Sequence, residues 1–171
     1  MNAMCIIRDE IEADAAAIRR VLESAFEGPD EARLVENLRK AGQAVITLVA
    51  VDGKHLVGHV LFSPVTLEPE SPNLRILGLA PLAVLPAHQG RGIGSSLVKE
   101  GLARCKQAGC DAVVVLGHPS YYPRFGFRRA SDFGLDNEYD AGEAFMALEL
   151  KVGALSDVAG LAKYRPEFEG V

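Results

Sequence analysis

The residue pattern with the clearest chemical meaning is a glycine-rich turn that leads directly into a helix. Three alternate glycines, Gly90, Gly92 and Gly94, lie between an apolar strand pattern and an amphipathic helix pattern. The first N–H groups of a helix have no intrahelical acceptor, and the helix dipole adds positive potential at the same end. Glycine also lets an anion approach the backbone closely. The turn therefore predicts a site for a phosphate or pyrophosphate, with Arg91 as a cation and Ser95 as a hydroxyl beside it.

An ordinary tight turn between a strand and a helix is the alternative interpretation of these glycines. Two known phosphate motifs fit the turn poorly. The dinucleotide fingerprint needs G-x-G-x-x-G, whereas the turn reads G-x-G-x-G, and Asp111 precedes the next predicted strand instead of ending it. The P-loop needs a lysine before its Ser or Thr, and the turn contains none. A nucleotide-binding protein of another α/β family is therefore disfavoured.

The same residues resemble the central motif of the GNAT superfamily of acyl-CoA-dependent N-acetyltransferases. That motif is an apolar strand followed by Gln/Arg-x-x-Gly-x-Gly/Ala, and residues 89–94 read Gln-Gly-Arg-Gly-Ile-Gly. A second family feature, Tyr-x-x-x-Gly-Phe, is matched by residues 122–127. Residues 117–122 and the tail from Gly160 to Phe168 look like the YhbS-like branch in particular. The resemblance covers nearly the whole chain.

The resemblance implies that acetyl-CoA is the co-substrate and that main-chain amides bind its pyrophosphate. The residues that match the family's coenzyme positions are Gln89, Gly90, Arg91, Gly92, Ile93, Gly94 and Ser95 in the turn, and Leu82, Ala83 and Val84 on the preceding strand. These strand residues would bind the pantetheine arm through their main chain, as if the arm were an added strand. Pro81 is compatible with this arrangement, because the strand pairing must fail nearby.

The resemblance also implies the reaction, in which a neutral primary amine attacks the thioester carbonyl directly in a ternary complex. Tyr122 matches the family's general acid, which protonates the leaving thiolate. Tyr121 is the adjacent alternative, and a half-buried ring is the structural interpretation of each tyrosine. The backbone N–H of Val84, or of its neighbour, matches the donor that stabilises the oxyanion.

The general base is not identified by the resemblance. Many family members carry a Glu on the long strand, whereas this chain has no carboxylate from Ile76 through Leu85. His59, His88 and His118 have a suitable ordinary pKa, with a structural or solvent-facing role as the alternative for each. We expect His118 to position the substrate or a water molecule near the cleft.

The acceptor site, by the same resemblance, involves the second predicted helix. Glu31 and Glu36 could attract a cationic amine there, with a solvated helix face as the alternative. Phe26 and Phe62 could wall the site or pack in the core. The predicted substrate residues are His118, Tyr121 and Glu31. The acceptor is a small-molecule or peptide amine whose identity the sequence does not specify.

A second hypothesis keeps the fold but removes most of the catalysis, leaving a module that senses acyl-CoA. The missing strand carboxylate favours the sensor, and Tyr122 favours the enzyme.

Length, charge and cysteine content restrict the remaining possibilities. The chain has 171 residues and a net charge of −5, which predicts one domain over residues 1–171, with 153–171 as an appended tail. The acidic balance argues against a nucleic-acid partner. Cys105 and Cys110 do not have a zinc spacing, so no metal is expected.

No secretory signal is visible, and the longest apolar stretch, Ile76 to Ala87, is interrupted by Gly and Pro and is too short to span a membrane. We therefore expect a soluble cytoplasmic protein, and the resemblance leaves a homodimer open.

The elements that must position these residues alternate between strand and helix patterns. Strands are predicted at Met4–Arg8, Ala44–Val51, His55–Phe62, Arg75–Leu85, Ala112–Leu116, Ala144–Val152 and Leu161–Tyr164, and helices between Asp14 and Gly28, Pro29 and Gly42, and Ile93 and Gly109. Asp52-Gly53 predicts a hairpin turn, Leu67–Asn73 a loop, and His118–Arg124 a loop or a helical turn. The class is α/β with a mixed sheet and flanking helices. The resemblance implies a single-domain GNAT-like fold whose central sheet is splayed around the acyl-CoA site.

Overall fold

The structure of the chain, a computed structural model, describes residues 5–171. Nine strands are described: β1 Ile6–Asp9, β2 Ile46–Asp52, β3 His55–Glu68, β4 Ile76–Val84, β5 Ala112–Leu116, β6 Arg128–Arg129, β7 Leu135–Asn137, β8 Phe145–Glu149 and β9 Gly160–Lys163. The α-helices are α1 Ala15–Phe26, α2 Asp30–Lys40 and α3 Ile93–Gln107. Single 3₁₀ turns lie at Glu12–Asp14, Pro86–His88, Tyr122–Phe125, Ala130–Phe133, Gly142–Ala144 and Pro166–Phe168. None of the helices in the described part of the chain is long and apolar enough to cross a bilayer.

The described residues divide into two compact units. The first unit contains residues 5–62, Pro81–Gly101 and Glu167–Val171, and the second contains Ser63–Ala80 and Leu102–Pro166. The chain passes between the units within β3, β4 and α3. That the chain forms one domain therefore stays a prediction.

In the first unit, an antiparallel sheet is covered by α1 and α2. Strand β2 pairs with β1 on one side and with β3 on the other, and Asp52 pairs with His55 across the predicted hairpin turn. The hairpin prediction is confirmed. One face of each helix packs on the sheet in a single buried cluster that includes Ile18, Val21, Leu22, Leu34, Val35, Leu38, Val49, Leu61 and Ala83. The helical residues of this cluster recur at the three- and four-residue spacing of one helix face, which the sequence pattern predicted.

The start of α1 differs from the sequence prediction in one detail. Asp14 lies at the N-cap position, but its side chain makes no capping hydrogen bond to the helix. Its carboxylate instead accepts the backbone N–H of Ile11 at 2.8 Å and two hydrogen bonds from Arg8 at 2.8 and 3.0 Å. The Asp14 oxygens that a helix cap would use are bonded to the Arg8 guanidinium instead.

The first half of α3 lies close against β3 because two glycines remove side chains from the contact. A Cβ atom on Gly101 would overlap the ring of Phe62, and one on Gly58 would lie 2.9 Å from Leu97 Cδ1. Phe62 is therefore a core residue, as one of its two interpretations expected. This close packing fixes the helix whose first residues follow the glycine-rich turn.

In the second unit, the strands form both parallel and antiparallel pairs. Strand β5 pairs in parallel with β4 and antiparallel with β8, which also pairs antiparallel with β6. The parallel β4–β5 pair, with α3 between the two strands in sequence, forms a crossover unit. The α/β class with a mixed sheet is confirmed.

The predicted tail contributes a strand to the second unit. Strand β9 pairs antiparallel with residues Thr66–Glu68 of β3 and in parallel with β7. This pairing extends β3 into the predicted loop at Leu67–Asn73, where Leu67 is buried. Met4, the first residue of the predicted first strand, lies outside the described residues, and β1 begins at Ile6.

A buried polar cluster joins β1, α2 and β3 within the first unit. The Glu10 carboxylate lies 3.0 Å from His59 Nε2 and 2.9 Å from Arg39 Nε. Burial raises the pKa of Glu10, but hydrogen bonds from His59 and Arg39 outweigh it, and the pKa lies below its ordinary value. His59 is completely buried. This geometry favours the structural interpretation of His59 over a role as general base.

We expect Glu10→Gln to lower the free energy of unfolding by roughly 2–3 kcal/mol at pH 7. The lowered pKa means that ionised Glu10 stabilises the fold above its unfolded pKa of about 4.3, and that this contribution is lost as the pH falls through the folded pKa. The difference between the variant and the wild type should therefore shrink below about pH 4. Urea denaturation across this pH range measures it.

Glu12→Gln is the matched control, because Glu12 is an exposed carboxylate two residues away. It should change stability by less than about 0.5 kcal/mol at either pH. A loss in Glu10→Gln that did not vary with pH would contradict the charge-based explanation.

Candidate active site

The glycine-rich turn connects the end of β4 to the start of α3 and has an open surface. Gly90 has a φ of +77° and Gly92 a φ of +81°, the left-handed region that favours glycine. A Cβ atom added to either glycine would meet nothing within 4 Å. The turn is therefore shaped by its backbone, and a ligand can approach that backbone without meeting a side chain there.

The turn presents a run of unused backbone donors. The N–H groups of Gly90, Arg91, Gly92, Ile93 and Gly94 make no hydrogen bond to any acceptor within residues 5–171. At the start of α3, the Ser96 N–H donates to the Gly92 carbonyl at 3.0 Å. Such donors at a helix N-terminus, supported by the helix dipole, suit an anion.

The surrounding main chain is held on both sides of the turn. Gln89 Nε2 donates to the Val84 carbonyl at 3.0 Å, and the Leu85 N–H donates to the Val57 carbonyl at 2.9 Å. The peptide between Val84 and Leu85 is therefore fixed at both its polar atoms. After the turn, Ser96 Oγ also donates to the Gly92 carbonyl at 3.1 Å. The role of Gln89 in closing the turn was not expected from its motif position.

Arg91 is held by partners that sequence reasoning missed. Its Nη1 donates to Asp52 Oδ2 at 3.2 Å and to His88 Nδ1 at 2.8 Å. Arg91 therefore lies in an ion pair with the hairpin turn between β2 and β3 instead of extending freely from the glycines. No sequence pattern indicated that Asp52 would bind Arg91. The Asp-Gly pattern indicates only a turn, and Asp52 lies 39 residues from Arg91. For His88 the sequence left a general base and a structural or solvent-facing role open, and its bond to Arg91 favours the structural role.

The predicted pantetheine positions lie at the end of β4, in the first unit. Leu82 and Val84 are half-buried, whereas Ala83 between them is buried in the cluster with α1 and α2. The parallel ladder that β4 forms with β5 runs from Ile76 and ends at Leu79. Pro81 follows two residues later, where the sequence predicted that pairing would fail.

The two predicted tyrosines lie together in the second unit, just after β5. Tyr122 is 7% exposed and begins the 3₁₀ turn that ends at Phe125. Its ring forms edge contacts with Tyr121, at 5.0 Å between ring centroids, and with Phe127, at 5.7 Å. Gly117 packs so closely that a Cβ atom there would overlap the Tyr122 ring. The Tyr122 ring is therefore fixed in one orientation.

The two tyrosine hydroxyls differ in their surroundings. Burial, and secondarily the neighbouring Tyr121, raise the pKa of Tyr122 to about 12. Its hydroxyl therefore keeps its proton at neutral pH. Tyr121 is half-buried, and the Arg124 guanidinium lies 4.4 Å from its ring centroid. Arg124 Nε also donates to the Tyr121 carbonyl at 2.8 Å, so Arg124 supports the turn.

The remaining predicted residues have varied environments. His118 is exposed, and its carbonyl accepts the Tyr121 N–H at 3.0 Å. Glu31 is half-buried on α2, and its Oε2 is buried without a hydrogen-bond partner among residues 5–171. Glu36 is bound to Arg19, at 2.9 and 2.7 Å, so its charge is already used. Phe26 is 40% exposed at the end of α1.

Comparison with protein families identifies the chain from these same elements. Residues 7–130 match the acetyltransferase (GNAT) domain, a stretch that includes β1 to β5, the glycine-rich turn and the tyrosine pair. The chain belongs to the GNAT acetyltransferase family.

Two relatives from Escherichia coli K12 support this membership across most of the chain. The N-acetyltransferase YhbS, described as uncharacterized, is 41% identical over 165 residues, which is 95% of this chain and 98% of YhbS. The N-acetyltransferase YjhQ, also described as uncharacterized, is 42% identical over 142 residues, which is 80% of this chain and 77% of YjhQ. The expected similarity to YhbS is confirmed.

Solved structures of GNAT proteins have the same fold. Escherichia coli YhbS, solved in complex with CoA, superposes with a TM-score of 0.92 at 39% identity and covers 98% of this chain and 93% of its own. A GNAT acetyltransferase from Brucella melitensis, solved in complex with acetyl-CoA, gives a TM-score of 0.82 at 34% identity and covers 98% and 100%. The GNAT fold predicted from the motifs is confirmed.

The contact between Gly117 and the Tyr122 ring generates a stability prediction for this GNAT protein. Gly117→Ala would force the ring to move, because the new methyl group occupies its position. We expect the free energy of unfolding to fall by about 1–3 kcal/mol, the usual cost of overpacking a filled site. Urea denaturation measures the change.

Gly28→Ala is the matched control, since a Cβ atom at Gly28 meets nothing within 4 Å and its φ is not in the left-handed region. It should change stability by no more than about 0.5 kcal/mol. Equal effects of the two substitutions would mean that the Tyr122 ring is not held by this contact.

Proposed function

We propose that this protein is an acetyl-CoA-dependent N-acetyltransferase that transfers an acetyl group to a primary amine. The observation that carries the proposal is the run of unused N–H donors at residues 90–94, at the open turn before α3. The solved complexes of Escherichia coli YhbS with CoA and of the Brucella melitensis protein with acetyl-CoA support the same ligand.

In this proposal the turn binds the pyrophosphate of the coenzyme mainly through its backbone. The N–H groups of residues 90–94 and the donors of Ser95 would surround it, and the helix dipole of α3 would add to the attraction. The N–H of Gln89, which the motif also assigned to the pyrophosphate, instead donates to the Pro86 carbonyl at 3.4 Å. Arg91 can add a phosphate without leaving Asp52, because a guanidinium has five N–H donors and Nη1 alone makes its bonds to Asp52 and His88.

The end of β4 would hold the pantetheine arm through its main chain. Leu82, Ala83 and Val84 are proposed to pair with the arm, with the backbone N–H of Val84 as the oxyanion donor. The Val84 N–H belongs to the preceding peptide, but the two hydrogen bonds on the next peptide limit how far Val84 can move. A donor that does not need to reorganise stabilises developing charge most effectively.

When bound, the coenzyme would supply an acetyl thioester, and residues of the chain would donate or accept the protons that the reaction moves. We propose Tyr122 as the general acid, because its raised pKa keeps the hydroxyl protonated until the sulfur develops negative charge. A thiol has an ordinary pKa of about 8.5, so a phenol whose pKa lies well above that value does not transfer its proton completely. Tyr122 therefore acts first as a hydrogen-bond donor to the sulfur as the C–S bond breaks. The ammonium form of the amine has then already lost one proton to solvent, and the second proton, which the nitrogen releases after the N–C bond has formed, ends on the thiol.

Three residues are proposed to bind the amine acceptor: Glu31, His118 and Tyr121. Glu31, with one buried carboxylate oxygen that lacks a partner, is proposed to attract the cationic amine. His118 and Tyr121 are proposed to orient the acceptor or a water molecule. The amine loses its proton to solvent in this scheme, because no carboxylate lies on β4 and His59 is bound to Glu10.

A catalytically weak acyl-CoA sensor is the second candidate, favoured by the missing carboxylate between Ile76 and Leu85. The two candidates are separated by a thiol-release screen with acetyl-CoA and a library of primary amines. Free thiol with at least one amine supports the enzyme. Tight acetyl-CoA binding with no thiol release across the library would favour the sensor.

We expect Tyr122→Phe to reduce kcat by about 10²–10³-fold, within the usual range for loss of a general acid. The phenyl ring keeps the aromatic contacts, so acetyl-CoA affinity should change little. Steady-state kinetics with the best amine, together with calorimetric binding of acetyl-CoA, measures both quantities.

Tyr121→Phe is the neighbouring comparison: because Tyr121 is proposed to orient the acceptor and not to donate the proton, it should retain kcat within about threefold and change mainly the KM for the amine. Loss of turnover in Tyr121→Phe, with Tyr122→Phe active, would move the acid by one residue and contradict the assignment to Tyr122.

The turn itself generates a second binding prediction. Gly90→Ala or Gly92→Ala places a methyl group on a left-handed backbone that costs about 1–2 kcal/mol and that faces the proposed pyrophosphate. We expect the Kd for CoA to rise by at least about tenfold in each variant. Isothermal titration calorimetry with CoA measures it.

Gly53→Ala separates backbone strain from binding, because Gly53 also has a positive φ, of +64°, and open space around it. It should lose comparable stability and retain CoA affinity. If Gly53→Ala weakened CoA as strongly as the turn variants, the effect would be one of folding and not of the phosphate site.

A further inference from the structure

The first unit contains a cavity that the proposed function does not use. Its volume is about 620 Å³, within the range of small-molecule sites. One face of α1, the β2–β3 hairpin and the segment just after β4 line it. Its charged and titratable lining residues are Arg8, Asp14, Arg20, Lys54, His55 and His88.

Two of these residues are cations without partners. Arg20 on α1 and Lys54 in the hairpin turn make no hydrogen bond or ion pair with any of residues 5–171. The chain as a whole carries a net charge of −5, so a cavity with two unpaired cations differs from its average surface. Like charges that line one cavity repel each other, which raises the electrostatic free energy of the empty cavity. A bound anion would lower that free energy.

The one carboxylate in the lining is already used. Asp14 accepts two hydrogen bonds from Arg8, at 2.8 and 3.0 Å, and a third from the Ile11 N–H at 2.8 Å. The Arg8–Asp14 pair therefore forms a fixed, neutral wall. Arg20 and Lys54 are exposed residues of the lining, and no carboxylate of the lining remains to pair with them.

We propose that this cavity binds a small organic dianion, bearing phosphate or carboxylate groups, between Arg20 and Lys54. His55 and His88 supply further polar contacts, and the apolar lining from Val21, Leu56 and Leu85 accommodates the carbon skeleton. The volume is larger than an inorganic anion needs, which indicates an organic ligand. The site is distinct from the N–H donors of residues 90–94, although His88 belongs to its wall and also binds Arg91.

The test is calorimetric titration of citrate and of glycerol 3-phosphate into protein saturated with CoA. Citrate represents carboxylate ligands and glycerol 3-phosphate represents phosphate ligands, while CoA occupies the proposed coenzyme site. We expect at least one of the two anions to bind at a single site. The double variant Arg20→Gln, Lys54→Gln should weaken that binding by at least about tenfold, because charge-assisted hydrogen bonds are lost.

The control double variant is Arg33→Gln, Lys40→Gln, which removes the same charge from α2 outside the cavity lining. It should retain the affinity, and thermal unfolding checks that both double variants are folded. The proposal is overturned if neither anion binds, or if the control weakens binding as much as the cavity variant. It is also overturned if the anion binds free protein and saturating CoA abolishes that binding, because the cavity would then belong to the coenzyme. Failure of CoA itself to bind would contradict the proposed function and not this cavity, whose anion titration then runs on the free protein.

Discussion

Unsatisfied backbone hydrogen-bonding capacity at the start of α3 is the constraint on which the candidate site depends. Folding leaves the donors of residues 90–94 without an acceptor in the described part of the chain, and the surface above Gly90 and Gly92 is open. A buried main-chain donor without a partner is costly, so such a run persists only where water or a ligand can reach it. The left-handed conformations of Gly90 and Gly92 keep the run accessible. The chemistry proposed for this protein begins with that accessibility.

The packing around the turn explains why these donors are held in place. Gly58 and Gly101 let α3 lie directly against β3, so the helix start cannot drift away from the strand layer. Gln89 and Ser96 then fix the backbone on either side of the glycines. The rigidity is therefore built from close contacts at a distance from the turn and from side chains that hydrogen-bond to its ends. The glycines themselves contribute shape and access.

The sequence predicted the elements whose pattern is local and missed those that depend on distant partners. Short stretches of sequence predicted the turn at the alternate glycines, the Asp52-Gly53 hairpin turn and the strand Ala112–Leu116. The structure confirms each of the three. The extension of β3 through Leu67 was not predicted, because it depends on pairing with β9 almost a hundred residues later.

The candidate site follows the same division. Backbone donors at a strand-to-helix turn follow from motif and helix physics, so Gly90 and Gly92 were identified correctly as an open turn. The partners of Arg91 were not identified, because an ion pair across 39 residues leaves no local pattern. The buried Glu10–His59 pair was missed for the same reason. The chemical roles of the site residues rest on family motifs, which specify residue types without their neighbours.

The C-terminal strand has a consequence for how the end of the chain can be altered. Strand β9 covers the main chain of Thr66–Glu68, so a protein shortened before Gly160 would leave a bare sheet edge at that point. Exposed edges of this kind recruit strands from other molecules and lead to aggregation. A shortened chain would therefore aggregate through intermolecular strand pairing even with its glycine turn and tyrosines intact.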